Sequence, residues 1–339
     1  MPDASFGIFV LVIILAIGFG IVNGFNDAAN AIAAAIGTRA LSPQNALFVA
    51  VVANFVGAAT GTAVAHTIGK GILVQEAISY QTIIAALISI IIWGWFATWL
   101  GLPISIHHGF IAGLAAAGMA VAGSSAVVWS VMGRVLSAVI IAPLLGFGGG
   151  FVIMLGLYWI LRNRGPDWIR RVFSRLQYLS TFFMAYSHGK NDGQMPIGVI
   201  TMALVIYYQD VGIWDRLSLL DSDLWWVIVV SAAAISLGTA LGGRRVIKTI
   251  GMKMTSLRPV HGFSTHLAAA TVIEAASHLG IPVSTTHCVA ASVMGVGSTR
   301  RFSAVRWGIA GNIVAAWILT FPICGILGYA FTWLFRAIF

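Results

Sequence analysis

Charge is scarce in this chain. Asp, Glu, Lys and Arg make up 9% of its 339 residues, against roughly 25% in an average soluble domain. With 59% hydrophobic residues, too little polar surface remains for a water-soluble fold. Cysteine is nearly absent: Cys288 and Cys324 are the pair, and both lie in apolar segments, which excludes a disulfide framework. The alternating segments of about ten residues that build a transmembrane β-barrel are missing. The N-terminal MPDASF carries an acid and no base ahead of the first apolar run, a poor signal peptide and a better start to a retained helix. What is present is a series of long apolar runs, so the expected fold is an all-α polytopic membrane protein. The formal net charge is +9. Its basic residues cluster in short loops, so membrane orientation explains them and nucleic acid is not an expected partner.

One polar stretch stands out inside the first apolar run. Asn23, Asn26, Asp27 and Asn30 fall within eight residues, the last three of them in Gly24–Ala33, GFNDAANAIA. A carboxylate at the bilayer centre costs about 2.5–3.5 kcal/mol on the mildest scale. Asp27 therefore needs a cation, a substrate or a water-filled cavity. The pattern returns at Gly189-Lys190-Asn191-Asp192. Residues 24 and 189, 26 and 191, and 27 and 192 are each 165 apart. GLPIS at Gly101 and GIPVS at Gly280 are 179 apart, as are Pro103 and Pro282, Ser105 and Ser284, His108 and His287, and Pro143 and Pro322. Thr67-Ile68-Gly69 and Thr249-Ile250-Gly251 are 182 apart. The chain is a two-fold repeat, expected as 1–165 and 166–339 in one membrane domain, with a basic linker at 162–175.

The spans follow in order. Residues 5–37 form a first span, expected to break at the Asn/Asp cluster. Residues 45–69 form a second. Segments 82–100 and 104–122 are joined only by GLPIS, which fits a re-entrant helical hairpin. A long helix runs from 134 to 161. The second half repeats the plan: a span at 178–208 interrupted at HGKNDGQ, an acidic loop with Asp210, Asp215, Asp221 and Asp223, a span at 224–243, a hairpin at 261–297, and a long helix to 335. Arg162–Arg175 and Arg244–Arg258 read as cytoplasmic loops. That places both termini outside, gives six crossings and two re-entrant hairpins, and makes the repeats inverted in topology. The setting is a cell (plasma or inner) membrane.

Helix ends supply the chemistry. A helix that starts inside a membrane leaves unpaired N–H groups and a positive dipole end. Pro282 stops one helix and Ser284 is placed to cap the next, with Thr285 and Thr286 adding hydroxyls. This is an anion site. Ser105 opens the matching helix, where Ile106 and His107 offer backbone N–H groups. The expected anion set is therefore Ser105, Ile106, His107, Asn26, Asn191, Ser284, Thr285 and Thr286. Asp27, Asn30, Asp192 and Gln194 are the expected coupling-cation ligands, with no metal beyond that cation at Asp27 and Asp192 and no cofactor.

GFNDAANAIA, HGKNDGQMPIG, GLPIS..H and GIPVSTTH resemble the duplicated signatures of the inorganic phosphate transporter (PiT) family, over nearly the whole chain. The resemblance implies phosphate uptake coupled to Na⁺ or H⁺, an inverted-repeat fold and a homodimer in membrane lipid. Some bacterial members carry phosphate as a metal–phosphate complex. One departure is that Ser105-Ile106-His107-His108 stands where the family has small or hydroxyl residues. Rival readings are a carrier of another oxyanion such as sulfate, an anion channel, and a membrane-embedded enzyme. The last lacks an H-x-x-x-H or H-x-x-H-H cluster. Asn54 and Asn312 read as interhelical glue, and His266 with Glu274, eight residues apart, as a structural pair.

Overall fold

The computed structural model describes residues 2–220 and 223–338; Asp221 of the expected acidic loop lies outside the described residues. Helices α1 (Pro2–Gly37), α2 (Pro43–Ala58), α3 (Ala63–Gly71), α4 (Tyr80–Leu100), α5 (Ile106–Ala122) and α6 (Trp129–Leu161) make the first half. Helices α7 (Pro166–Asp192), α8 (Gln194–Tyr208), α9 (Trp225–Leu241), α10 (Arg244–Lys248), α11 (Pro259–His278), α12 (Thr285–Ser298) and α13 (Trp307–Ile338) make the second. The protein is a polytopic helical membrane protein. Among the described residues, five helical segments are long and apolar enough to cross a bilayer: Phe6–Gly37, Tyr80–Leu100, Ile106–Ala126, Trp129–Leu161 and Trp307–Ala337. Two bent pairs qualify when each is taken as one span: α2 with α3 at 64°, and α9 with its continuation to Lys253 at 62°. The outer helices turn large apolar side chains such as Phe48, Ile140 and Ile326 outward, as a lipid-facing surface requires.

The Asn/Asp cluster does not break α1, which runs unbroken through it. In the second half only Gly193 separates α7 from α8, and it keeps helical angles. Each repeat has its broken span one element later, at α2/α3 and α9/α10. The glycine that opens each polar motif has another purpose. A Cβ on Gly24 would sit 2.0 Å from the Ile235 carbonyl oxygen, and one on Gly189 would sit 2.2 Å from that of Asn54. Each glycine lets two backbones cross in contact, α1 on α9 and α7 on α2.

Packing repeats the two-fold pattern. As α12 lies on α6, so α5 lies on α13; as α2 lies on α7, so α9 lies on α1; as α11 lies on α7, so α4 lies on α1. Every one of these contacts joins one half to the other, apart from α11 on α7 and α4 on α1. The halves are thus interlocked. Two large apolar clusters result. Along α1 the first holds Phe9–Val22 residues and the second holds Ala29–Ala35 residues. Along α7 and α8 the second holds Met184 and Ala185, and the first holds Met195 to Leu204. On both helices the polar motif falls between the clusters, so the apolar core itself brings the motifs together.

Both hairpins form. α4 and α5 are joined by residues 101–105, and α11 and α12 by residues 279–284. The chain reverses at Gly101 (φ 74°) and Gly280 (φ 65°), in the left-handed region that a side chain disfavours. Their tips meet: the rings of His108 and His287 lie 5.2 Å apart between centroids.

Candidate functional site

The two tips are built alike. Ser105 caps α5 by accepting from the His108 N–H at 3.2 Å, and Ser284 caps α12 by accepting from the His287 N–H at 3.2 Å. Each serine satisfies the third N–H of its helix, so the first two, on Ile106 and His107 and on Thr285 and Thr286, have no partner within their helix. Ser105, Ile106, His107, Ser284, Thr285 and Thr286 are all buried.

The carboxylates of α1 and α7 meet between these tips. With its amide turned to donate, Asn23 Nδ2 lies 3.1 Å from Asp27 Oδ2 and 3.2 Å from Asp192 Oδ2. Ligand atoms of Asp27, Asp192 and His188 all fall within 4.8 Å of one another. Asp27 is 2% exposed and Asp192 0%. Two adjacent buried carboxylates are costly unless a cation or proton is shared between them.

Each carboxylate is served by the other half's hairpin. Thr286 Oγ1 donates to Asp27 Oδ1 at 2.8 Å. Having given its proton there, it accepts from Asn30 Nδ2 at 2.9 Å, and Thr285 Oγ1 lies 3.2 Å from the same amide nitrogen. The repeat-mate of Thr286 is His107, 179 residues earlier, and His107 Nδ1 lies 3.5 Å from Asp192 Oδ2. The mate of Asn23 is His188, whose Nε2 also lies 3.5 Å from Asp192 Oδ2. Asp27 is therefore surrounded by oxygen-bearing side chains, and Asp192 by imidazoles.

Hydrogen-bond direction can be followed outward from His188. Thr239 donates to the Ile235 carbonyl, so its oxygen accepts from Asn54 Nδ2 at 2.9 Å. That fixes Asn54 Oδ1 toward His188 Nδ1, 2.7 Å away. An amide oxygen only accepts, so Nδ1 carries the proton. A neutral His188 then turns its Nε2 lone pair toward a carboxylate oxygen. A proton or a cation between them resolves that contact.

Asn26 and Asn191 hold the hairpins. Asn26 Nδ2 donates to Thr98 Oγ1 at 2.6 Å. Asn191 Nδ2 donates to the Val283 carbonyl at 2.8 Å, and its oxygen accepts from Ser277 at 3.3 Å. Thr98 and Ser277 are again 179 apart. Asn26 Oδ1 and Asn30 Oδ1 are buried acceptors with no donor, and a free carbonyl oxygen such as that of Asn30, whose amide bonds the same Thr286 that serves Asp27, suits a hard cation. Gln194 is placed differently from the other expected ligands: its oxygen accepts from the Val64 and Ala65 N–H groups at 2.6 and 3.1 Å, capping α3. His266 and Glu274 do not pair. His266 Nδ1 faces Ser180 Oγ at 3.4 Å, and Glu274 binds Lys190 and lies 3.1 Å from His278. Asn23 and Asn54 join the site as well: Asn23 stands in the polar cluster of the first apolar run without being among the expected ligands, and Asn54, expected as interhelical glue, bonds His188 and Thr239.

The profile of the phosphate transporter family matches residues 23–170 and 161–328. A probable low-affinity inorganic phosphate transporter of Rhizobium meliloti is 38% identical over 95% of each chain. A protein of the same description from Bacillus subtilis is 36% identical over 94% of each chain. Among solved structures, one described as the sodium-dependent phosphate transporter superposes with a TM-score of 0.86 at 26% identity, over 98% of this chain and 100% of that chain. These are transporters, which sets aside the enzyme reading. Spanning both halves at this level of identity, the chain belongs to the phosphate transporter family.

Proposed function

We propose that this protein imports inorganic phosphate together with Na⁺ by alternating access across the cell membrane, both termini outside and the repeats inverted. The observation that carries the reading is the crossed arrangement of Thr286 on Asp27 and His107 on Asp192. Phosphate is held at the two hairpin tips, by Ser105, Ile106 and His107 and by Ser284, Thr285 and Thr286, with Asn26 and Asn191 bracing the hairpins. Na⁺ sits at Asp27, where Thr286, Asn30 and the donorless Asn26 and Asn30 oxygens supply its surroundings. The sodium dependence stated for the superposing structure supports this choice of ion.

Coupling follows from charge. Phosphate entering a dry site beside two bare carboxylates would meet net repulsion, so the cation must bind for the anion to stay. With the cation bound, part of the carboxylate charge is cancelled and the anion is held at the tips. Release of the cation then expels the anion. A channel would not need this mutual dependence. Sulfate lacks the proton that phosphate keeps near neutral pH, and that proton gives phosphate a donor for Asp192 or Asp27.

A second reading replaces Na⁺ by H⁺. It rests on His188, whose Nε2 lone pair faces Asp192 Oδ2 at 3.5 Å. Uptake into proteoliposomes under a Na⁺ gradient at equal pH, and under a pH gradient without Na⁺, separates the two. Drive by Na⁺ alone supports the first, and drive by pH alone supports the second.

A further inference from the structure

A cavity of about 630 Å³ lies far in sequence from the polar motifs, where α6 ends and α7 and α11 begin. Arg162, Arg164, Arg170, Arg258 and Arg300 line it, with Asp167 as its one acid. Asp167 pairs with Arg170 at 3.1 Å. Among the described residues, no carboxylate pairs with the other four arginines. Orientation in the membrane calls for basic loops, but it does not call for guanidinium groups from three separate stretches to share one hollow.

The wall adds a directed donor. His261 Nδ1 accepts from the Arg258 N–H at 3.0 Å. The neutral ring therefore carries its proton on Nε2, which donates to Tyr158 Oη at 3.1 Å. The phenol keeps its own proton free for a ligand. The dipoles of α7 and α11 both begin at this wall and favour an anion. The floor is apolar, formed by Met154, Leu161 and Ile169. At the rim, Arg162 lies over Trp159 at 5.4 Å and Arg164 over Trp168 at 5.3 Å. Aromatic rings under cations above an apolar floor are what the headgroup level of a bilayer selects.

We propose that this cavity is a second anion site, separate from the transport site, which takes a phosphate group through paired guanidinium bonds. The apolar floor and tryptophan rim favour the phosphate of an anionic phospholipid, and free inorganic phosphate is the other source of the same chemistry.

The test uses the full-length protein and the triple variant Arg162→Gln, Arg258→Gln, Arg300→Gln. A control triple, Arg244→Gln, Lys248→Gln, Lys253→Gln, removes the same charge elsewhere. Native mass spectrometry after reconstitution with phosphatidylglycerol and phosphatidylcholine measures preference for the anionic lipid. The cavity triple should lose that preference by about tenfold or more, the scale of one lost charge-assisted hydrogen bond, and the control should keep it. Calorimetry with inorganic phosphate on delipidated protein is the second arm. A weaker second phosphate site, lost in the cavity triple alone, would support the site with free phosphate as its source. No change in either arm, or an equal change in the control, overturns the proposal. Arg162→Lys, Arg258→Lys, Arg300→Lys keeps the charges that set orientation and removes the planar fork. If the Gln triple does not insert, this variant carries the test: retention should fall severalfold, and wild-type retention overturns the proposal.

Discussion

Thr286 gives its hydroxyl proton to Asp27 across 2.8 Å. The bond ties the tip of one repeat's hairpin to the first helix of the other, with both residues buried. It orients the carboxylate, and through Asn30 it orients Thr285 as well. Asp27→Asn and Asp192→Asn are each expected to abolish or cripple driven phosphate uptake while leaving the protein folded, since the amide keeps the shape and removes the charge. Uptake assays beside size-exclusion profiles check this. Normal transport with unchanged ion dependence in either variant would remove the carboxylates from the mechanism.

The serine caps give a second prediction. Ser284 satisfies the third N–H of α12, on His287, and leaves the first two, on Thr285 and Thr286, for the anion. Ser284→Ala should weaken phosphate binding by about 1–3 kcal/mol, the cost of a hydrogen bond to a charged group left unmade. Ser105→Ala should act in the same direction because its cap is built the same way. Calorimetric phosphate titration measures both, and wild-type affinity in both variants would count against the tips as the anion site.

His107 occupies the place that Thr286 holds in the other repeat. Its Nδ1 lies 3.5 Å from Asp192 Oδ2, where an imidazole N–H can donate as the Thr286 hydroxyl donates to Asp27. His107→Ala should weaken phosphate binding by about 1–3 kcal/mol, the cost of a hydrogen bond to a charged group left unmade, and His107→Thr should restore part of the loss. Calorimetric titration measures both, and wild-type affinity in His107→Ala would leave His107 as packing beside His108.

Lys190 and Glu274 form an ion pair between α7 and α11. Their repeat-mates, Phe25 and Trp95, stack at 5.8 Å between α1 and α4. One position of the fold is thus held by charge in one half and by aromatic contact in the other. Side chains of Lys190 and Glu274 are 9% and 20% exposed, so removing one partner strands the other. Glu274→Gln should lower stability by about 1–3 kcal/mol, with solvent access reducing the fully buried figure. Lys190→Met combined with Glu274→Leu should lose less than the sum of Lys190→Met and Glu274→Leu made singly. Thermal unfolding of the wild type, these two single variants and the double variant tests it, and strictly additive losses would show that the pair is not coupled.

The repeat, the hairpins and the caps were legible because they are written in spacing and in residue type. At each hairpin tip a Gly and a Pro two residues apart end one helix, and the serine two residues on caps the next. The break in α1 was misplaced because polarity within an apolar run looks like an interruption. Asn23, Asn26, Asp27 and Asn30 instead find partners across the fold, so the helix has no need to unwind. Gly24 likewise looked like part of a break, whereas its lack of a Cβ serves the crossing with α9. The bends between α2 and α3 and between α9 and α10 had only the Thr-Ile-Gly echo to mark them. Gln194 was grouped with the cation ligands from its place in the motif, and its capping of α3 depends on a neighbour 130 residues away. The pairing of Glu274 with Lys190 was hidden for the same reason: helix periodicity reports neighbours on one face and says nothing of the helix opposite.

The most direct test of the account is phosphate accumulation by the purified protein in sealed proteoliposomes, with an inward Na⁺ gradient imposed at equal pH on both sides. Phosphate should rise inside above the external concentration, fall back when the gradient is collapsed, and show no such rise in Asp27→Asn. Phosphate that merely equilibrates, to the same level with or without a gradient of Na⁺ or H⁺, would contradict the shared site of cation and anion between Asp27 and Asp192.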